Sequence, residues 1–288
     1  MTQELTMALA AVQLITESLP ISSTGHVQLL QLFLQRWGYD VNDGLSEALD
    51  HGLHGPMLFI LAVYFRKQWV PLARATVTSL AALIRSRGVL HSLTFSQRKL
   101  LQIVTRIAGM VVVADITTAL GYFLFKNKLQ ALTGNNIMLL ACGFAVTMLV
   151  LWSIRWRTDS SQTLSYSRAL LIGSAQGSVA LLPGISRFAS TVVCARWLGI
   201  SQRRSLQFSF LMFAPLMLAA FVVHGIPAML MNVSCVAVLP WVALLGGATL
   251  LAYPLFAMSC WLLSTNRWWW LGYYMTLPIA ACLVLWLL

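Results

Sequence analysis

The chain has 288 residues, 59% of them hydrophobic and 9% charged, with a formal net charge of +11 and a mean hydropathy of +0.78. A soluble domain carries roughly 25% charged residues, so this composition cannot cover a water-exposed surface and implies a polytopic membrane protein. The basic excess does not imply nucleic-acid binding: there is no soluble domain to present it, and the arginines and lysines flank apolar runs, as membrane loops require.

Met1-Thr2-Gln3-Glu4 lacks the positive segment of a cleavable signal, so the first residues are expected to be retained. An apolar stretch over 5–19 breaks at Pro20-Ile21-Ser22-Ser23-Thr24-Gly25, and a second follows over 26–37. Each piece is too short to cross a bilayer alone, so the two predict a re-entrant hairpin around a polar break. A loop with Asp40, Asp43 and Glu47 leads into a predicted span over 50–65. Residues 70–84 are moderately apolar, contain Arg74 and are expected to lie at the interface. Further spans are predicted over 100–125, 137–152, 206–223, 236–263 and 268–288. Cys142, Cys194, Cys235, Cys260 and Cys282 form no Cys-x-x-Cys pair, so they predict apolar packing rather than disulfides or zinc.

The opening pattern recurs. Gln13, Leu19-Pro20 and Ile21-Ser22 find counterparts in Gln176, Leu182-Pro183 and Ile185-Ser186, with Gly184 as one extra residue. The chain therefore reads as a single membrane domain over 1–288 with repeat halves over about 1–155 and 166–288. Three spans per half invert the second half relative to the first, which puts the two breaks together near the bilayer midplane. The predicted fold is all-α, an inverted-topology repeat with two re-entrant helical hairpins and six transmembrane helices. With this topology one side carries thirteen loop arginines and lysines, and the other only Arg36, Lys126 and Lys128. The basic side is expected to be cytoplasmic.

Ionisable groups inside a membrane are costly and are candidates for function. Glu17 ends the first half-helix at the break, and its carboxylate suits a hard cation such as Mg²⁺ or Ca²⁺. Gln13 lies one turn earlier on the same face. Ser22, Ser23, Thr24 and Gly25 precede the second half-helix, where hydroxyls cap free N–H groups and a helix start can also bind phosphate. His26 is placed to act as acid, base or nucleophile. Arg187, after Ser186, occupies the matching position in the second break, where a guanidinium can hold phosphate oxygens or pair with Glu17. Asp50 and His54 begin a span and are expected to support these groups from behind. Asp115 has no partner in the sequence pattern, and Arg196 and His224 are expected to be structural or interfacial.

The chain resembles the undecaprenyl-diphosphate phosphatase family of the bacitracin-resistance type. The resemblance rests on Glu17-Ser-Leu-Pro-Ile-Ser-Ser-Thr-Gly-His26, on Asp50…His54…Val63-Tyr64-Phe65-Arg66, on Pro183-Gly184-Ile185-Ser186-Arg187, and on Phe208-Ser209-Phe210-Leu211…Pro215, and covers nearly the whole chain. It implies hydrolysis of undecaprenyl diphosphate to the monophosphate, with a divalent cation, at the outer face of the bacterial inner membrane. It also implies that the family's acidic, serine, histidine and arginine site residues fall on Glu17, Ser23, His26 and Arg187. Gln13, Ser22, Thr24, Gly25 and Ser186 would contact the substrate, and Glu17 the metal. The implied partners are a polyprenyl diphosphate and membrane lipids, and a homodimer is the assembly to test. The chain departs from the family's usual pattern at Phe188-Ala189, in place of Ser-Gly, at Gln207, in place of glutamate, and at Ala114-Asp115-Ile116, where a proline is usual.

Two nucleophile assignments, Ser23 and His26, stay open at this level. The rival function is a polyprenyl-phosphate flippase or transporter, because broken helices in inverted repeats are equally a transporter architecture. A non-catalytic scaffold would leave the buried charges without a use.

Overall fold

The computed structural model describes residues 3–39, 43–85, 93–133, 136–158, 161–179, 182–227 and 238–288. The 38–48 loop, the 126–135 loop, Arg87 and Cys235 fall wholly or partly outside them. The chain opens with α1 (Gln3–Glu17) and α2 (Ser23–Arg36), then α3 (Asp43–Tyr64), α4 (Arg66–Arg85), α5 (Phe95–Thr133) and α6 (Ile137–Ser153). The second half opens with α7 (Tyr166–Val179) and α8 (Arg187–Trp197), then α9 (Gln202–Ala220), whose end continues as a π-helical turn over Phe221–Gly225. It closes with α10 (Val238–Ser264), α11 (Trp270–Tyr274) and α12 (Thr276–Leu287).

Helices α1, α2, α7 and α8 have 15, 14, 14 and 11 residues. At 1.5 Å per residue none reaches the roughly 30 Å of a hydrocarbon core. Each pair folds back on itself as a hairpin. Helix α2 starts at Ser23 rather than at His26, because Ser22 caps it by accepting from the Gly25 N–H at 3.3 Å. Among the described residues, five segments are long and apolar enough to cross a membrane: Phe95–Lys126, Ile137–Trp156, Gln202–Gly225, Leu245–Ser264 and Trp270–Leu287. Six were expected. The expected span that is not among them is α3, of which only 51–64, shorter than a membrane crossing, are described with their side chains. Helix α4 is not among the five, in keeping with its polar N-terminal turn Arg66-Lys67-Gln68.

The two halves pack reciprocally. Helix α1 lies against α10 of the second half, and α7, its counterpart, lies against α5 of the first. The α5–α7 contact is close because both helices present small residues. A Cβ on Gly177 would sit 3.2 Å from the Gly121 Cα. The Thr118 hydroxyl donates across the same contact to the Gly173 carbonyl at 3.0 Å. The larger core cluster among the described residues gathers Leu14, Ile21, Phe65, Phe144, Phe210, Phe256 and Trp268, and so includes Ile21 of the first break.

Candidate active site

The breaks of the two hairpins meet. A Cβ on Gly25 would fall 2.8 Å from the Gly184 Cα, so the first break approaches the second closely enough to exclude any side chain at either glycine. The second break is pinned from α6. Thr147 Oγ donates to the Gly184 carbonyl at 2.8 Å and accepts from the Ser186 N–H at 2.9 Å. Gly184 has φ +81°, a conformation that favours glycine. Ser22 is held at φ 67°, which costs a non-glycine residue about 1–2 kcal/mol and marks a tightly determined turn.

Between the breaks lies a cleft lined by Glu17, Ser22, Ser23, Thr24, Ser186 and Arg187, with Leu19, Met57, Ile185, Phe188, Phe210, Phe213 and Met217 around them. Both α2 and α8 begin at this cleft. Their capping serines, Ser22 and Ser186, each satisfy one first-turn N–H, those of Gly25 and Ala189. Other first-turn N–H groups have no intrahelical acceptor. Two helix N-termini and one guanidinium therefore face one polar cavity, which is a setting for an anion with several oxygens.

Glu17 pairs with His54 rather than with Arg187. The His54 Nδ1 lies 2.9 Å from Glu17 Oε1, and both side chains are only 7% exposed. The other carboxylate oxygen, Oε2, is buried with no hydrogen-bond partner among the described residues. His54 connects further to His51 and, beyond it, to His224 at the end of α9, with ring centroids 6.0 and 5.1 Å apart. Gln13 is buried, one turn before Glu17. Asp50 lies in α3, and its side chain is outside the described ones.

His26, like Gln13, Gly25 and His54, is an expected site residue that is not among those lining the cleft. Its Nδ1 lies 2.7 Å from the Ser22 carbonyl, so that nitrogen donates. Its Nε2 lies 3.1 Å from the Tyr274 hydroxyl, and the two rings stack at 5.7 Å. Phe144 packs edge-on at 5.1 Å. Both ring nitrogens are thus committed to internal partners that hold the break. Thr147, Tyr274 and Phe144 escape a reading of the sequence, because they come from spans with no motif of their own. The one signal for Thr147 is a hydroxyl in the most apolar helix of the first half.

The remaining ionisable groups sit elsewhere. Arg196 is 2% exposed and donates to the Ile200 and Thr158 carbonyls, both at 3.1 Å, closing the end of α8 as a structural residue. Asp115 faces neither break, and its Oδ1 is buried without a partner among the described residues. Phe188 packs at a tilt against Phe210 at 4.7 Å and meets Trp268 at 5.3 Å. It extends the aromatic floor of the cleft where a serine would have left a polar one. Among the described residues no three His, Cys, Asp or Glu side chains gather as a metal site. A cation that needs only one protein carboxylate and takes its other ligands from phosphate and water still fits the free Oε2 of Glu17.

A family model described as bacitracin resistance protein BacA matches residues 6–280. The chain is 32% identical over 250 residues to an undecaprenyl-diphosphatase of Gemmatimonas aurantiaca, covering 83% of this chain and 85% of that protein. It is 29% identical over 289 residues to one of Desulfatibacillum aliphaticivorans, covering 96% of each. It is also 31% identical over 215 residues to one of Desulforapulum autotrophicum, covering 73% of this chain and 72% of that protein. A match over nearly the whole length, on a chain whose two breaks converge on one polar cleft, shows that this multi-pass membrane protein belongs to the BacA family of bacitracin resistance proteins.

Proposed function

We propose that the chain hydrolyses undecaprenyl diphosphate to undecaprenyl phosphate and inorganic phosphate, recycling the lipid carrier of cell-wall synthesis. The observation that carries this reading is the convergence of Glu17, Ser23 and Arg187, with two helix N-termini, on one cleft. Phosphoryl transfer needs little beyond positioning and neutralisation of charge on the phosphate oxygens. Arg187 and the free N–H groups of α2 and α8 supply both. Of the hydroxyls that line the cleft, Ser22 and Ser186 cap helices, and Ser23 is the one proposed to attack the terminal phosphorus. The anhydride P–O bond then breaks, the lipid monophosphate leaves with the serine's proton on its departing oxygen, and water hydrolyses the phosphoserine to restore the hydroxyl and release inorganic phosphate. A divalent cation, Mg²⁺ or Ca²⁺, held on Glu17 Oε2, would add positive charge beside the same phosphates. Gln13, Thr24, Gly25 and Ser186 shape the cleft around the substrate. His54 orients Glu17, and His26 holds the turn from which Ser23 projects.

The reciprocal packing of α1 on α10 and α7 on α5 supports an inverted-topology repeat with two re-entrant hairpins, α3 being the sixth spanning helix. The distribution of arginine and lysine supports a bacterial inner-membrane orientation with the first hairpin opening to the periplasm. The homodimer remains a proposal to be tested by crosslinking in the native membrane.

The test is phosphate release from a polyprenyl diphosphate by the purified protein in detergent, where no gradient exists. Turnover there supports hydrolysis. Transport in vesicles with no release in detergent would favour the flippase reading instead. Rapid quench with radiolabelled terminal phosphate distinguishes a phosphoserine at Ser23 from direct attack by water.

A further inference from the structure

A second cavity, of about 310 Å³, lies between α3, α4 and α9. Its walls are almost wholly apolar: Leu58, Leu61 and Ala62 from α3, Trp69 and Val70 from α4, and Ala214 from α9. It differs from the cleft in chemistry as well as place. The one charged side chain that lines it is Arg66, at the junction of α3 and α4, whose guanidinium donates to the Val63 carbonyl at 3.0 Å. Phe210 borders both cavities. It is only 4% exposed and is packed against Phe65 at 5.5 Å, Phe188 at 4.7 Å and Phe256 at 5.1 Å, so its ring is held in place between the two.

The mouth of this groove is basic. Arg66 and Lys67 open α4, and Arg203 and Arg204 stand one turn before Gln207 on α9, all four exposed. A hydrogen bond of 2.6 Å from Gln207 to Gln68 ties these two helix starts together. Neither α4 nor α9 contains an acidic residue to neutralise them. Arg66 in the lining of an apolar slot, with Lys67, Arg203 and Arg204 exposed at the same two helix starts, matches a lipid with a negative headgroup: the phosphate meets the guanidinium fork and one acyl chain lies in the slot.

We infer that the groove between α3, α4 and α9 is a binding site for an anionic phospholipid, separate from the catalytic cleft. The charge at its mouth favours a bilayer lipid with a net negative headgroup over a zwitterionic one. The Phe210 ring held between the two cavities favours such a lipid over the tail of a substrate seated in the cleft.

The full-length protein in neutral detergent is titrated with dioleoyl phosphatidylglycerol or dioleoyl phosphatidylcholine, and bound lipid is counted by native mass spectrometry. One phosphatidylglycerol is expected to be retained where phosphatidylcholine is lost. Arg66→Gln should weaken retention about five-fold, as befits roughly 1 kcal/mol per basic residue near a phosphate. Ala214→Trp fills the slot and should abolish retention, while the melting temperature and phosphate release from soluble farnesyl diphosphate stay at their parental values. Should Ala214→Trp fail to fold, Ala62→Leu makes the same test from the opposite wall. Equal retention of both lipids, or retention unchanged in the filled groove, overturns the site. Displacement of phosphatidylglycerol by equimolar undecaprenyl phosphate also overturns it, by assigning the groove to the substrate's tail. None of these outcomes depends on whether the cleft hydrolyses a diphosphate.

Discussion

His54 Nδ1 lies 2.9 Å from Glu17 Oε1, both side chains have almost no exposure, and of the two Glu17 lines the cleft. The carboxylate is thereby fixed by one oxygen, and Oε2 is buried with no hydrogen-bond partner among the described residues. Gln13 and Glu17 share a face of α1, but it is α3, from another part of the chain, that sets the direction of the carboxylate.

A residue that only orients the carboxylate should be replaceable by another donor. His54→Gln is expected to keep most of the turnover, whereas His54→Leu should lose about 10–100-fold, the usual range for partners that orient a metal ligand. Steady-state phosphate release with a Mg²⁺ titration checks this. Equal activity of the parent and the leucine variant would remove His54 from the mechanism.

Glu17→Gln and Arg187→Ala are each expected to lower kcat by at least about 10²–10³-fold, the scale of removing one group that stabilises developing charge. Membrane insertion and melting temperature should be retained, because among the described residues Arg187 bonds no carboxylate and Gln keeps the shape of Glu17. Near-parental turnover by either variant would contradict the proposed site.

Ser23 and His26 separate by location. Ser23→Ala should abolish turnover with little change in stability. Tyr274→Phe removes a partner of the His26 ring and should cost about 1 kcal/mol of stability, the net worth of one hydrogen bond, with kcat within a few-fold of the parent. Measured side by side in one detergent, a Tyr274→Phe protein that is stable but inactive would return the ring of His26 to the chemistry.

Thr147 satisfies two backbone groups of the second break. Thr147→Val keeps the volume and leaves both groups buried without a partner, so a loss of about 2–5 kcal/mol is expected. Gly25→Ala pushes a methyl group into Gly184 and should destabilise the junction of the breaks by a comparable amount. Thermal unfolding monitored by tryptophan fluorescence reads both. Parental melting temperatures would mean that the breaks do not meet as described.

Much of the site was legible in the sequence because a membrane makes polar residues conspicuous. Glu17, the Ser22–Gly25 run and Arg187 stand out against apolar surroundings, and the Leu-Pro…Ile-Ser repeat predicts that two breaks belong together. The break at Pro20 and the caps at Ser22 and Ser186 are local features, fixed by residues within one turn. The short helices around them follow from the same local chemistry.

The tertiary structure decided which polar groups share the cleft and which do not. His26 lies one helical turn from Ser23, yet its ring nitrogens meet the Ser22 carbonyl and the hydroxyl of Tyr274, 248 positions later, and it is Ser23 that lines the cleft. Glu17 was open to pairing with Arg187 by charge alone, but α3 brings His54 nearer. Thr147 carries no motif, because a hydroxyl that bonds two distant backbone groups leaves no pattern in its own neighbourhood. Composition, periodicity and the repeated break thus determined that the chain enters the membrane and where it is interrupted. The packing of one half against the other determined the direction of each side chain, since direction depends on contacts that sequence spacing does not contain.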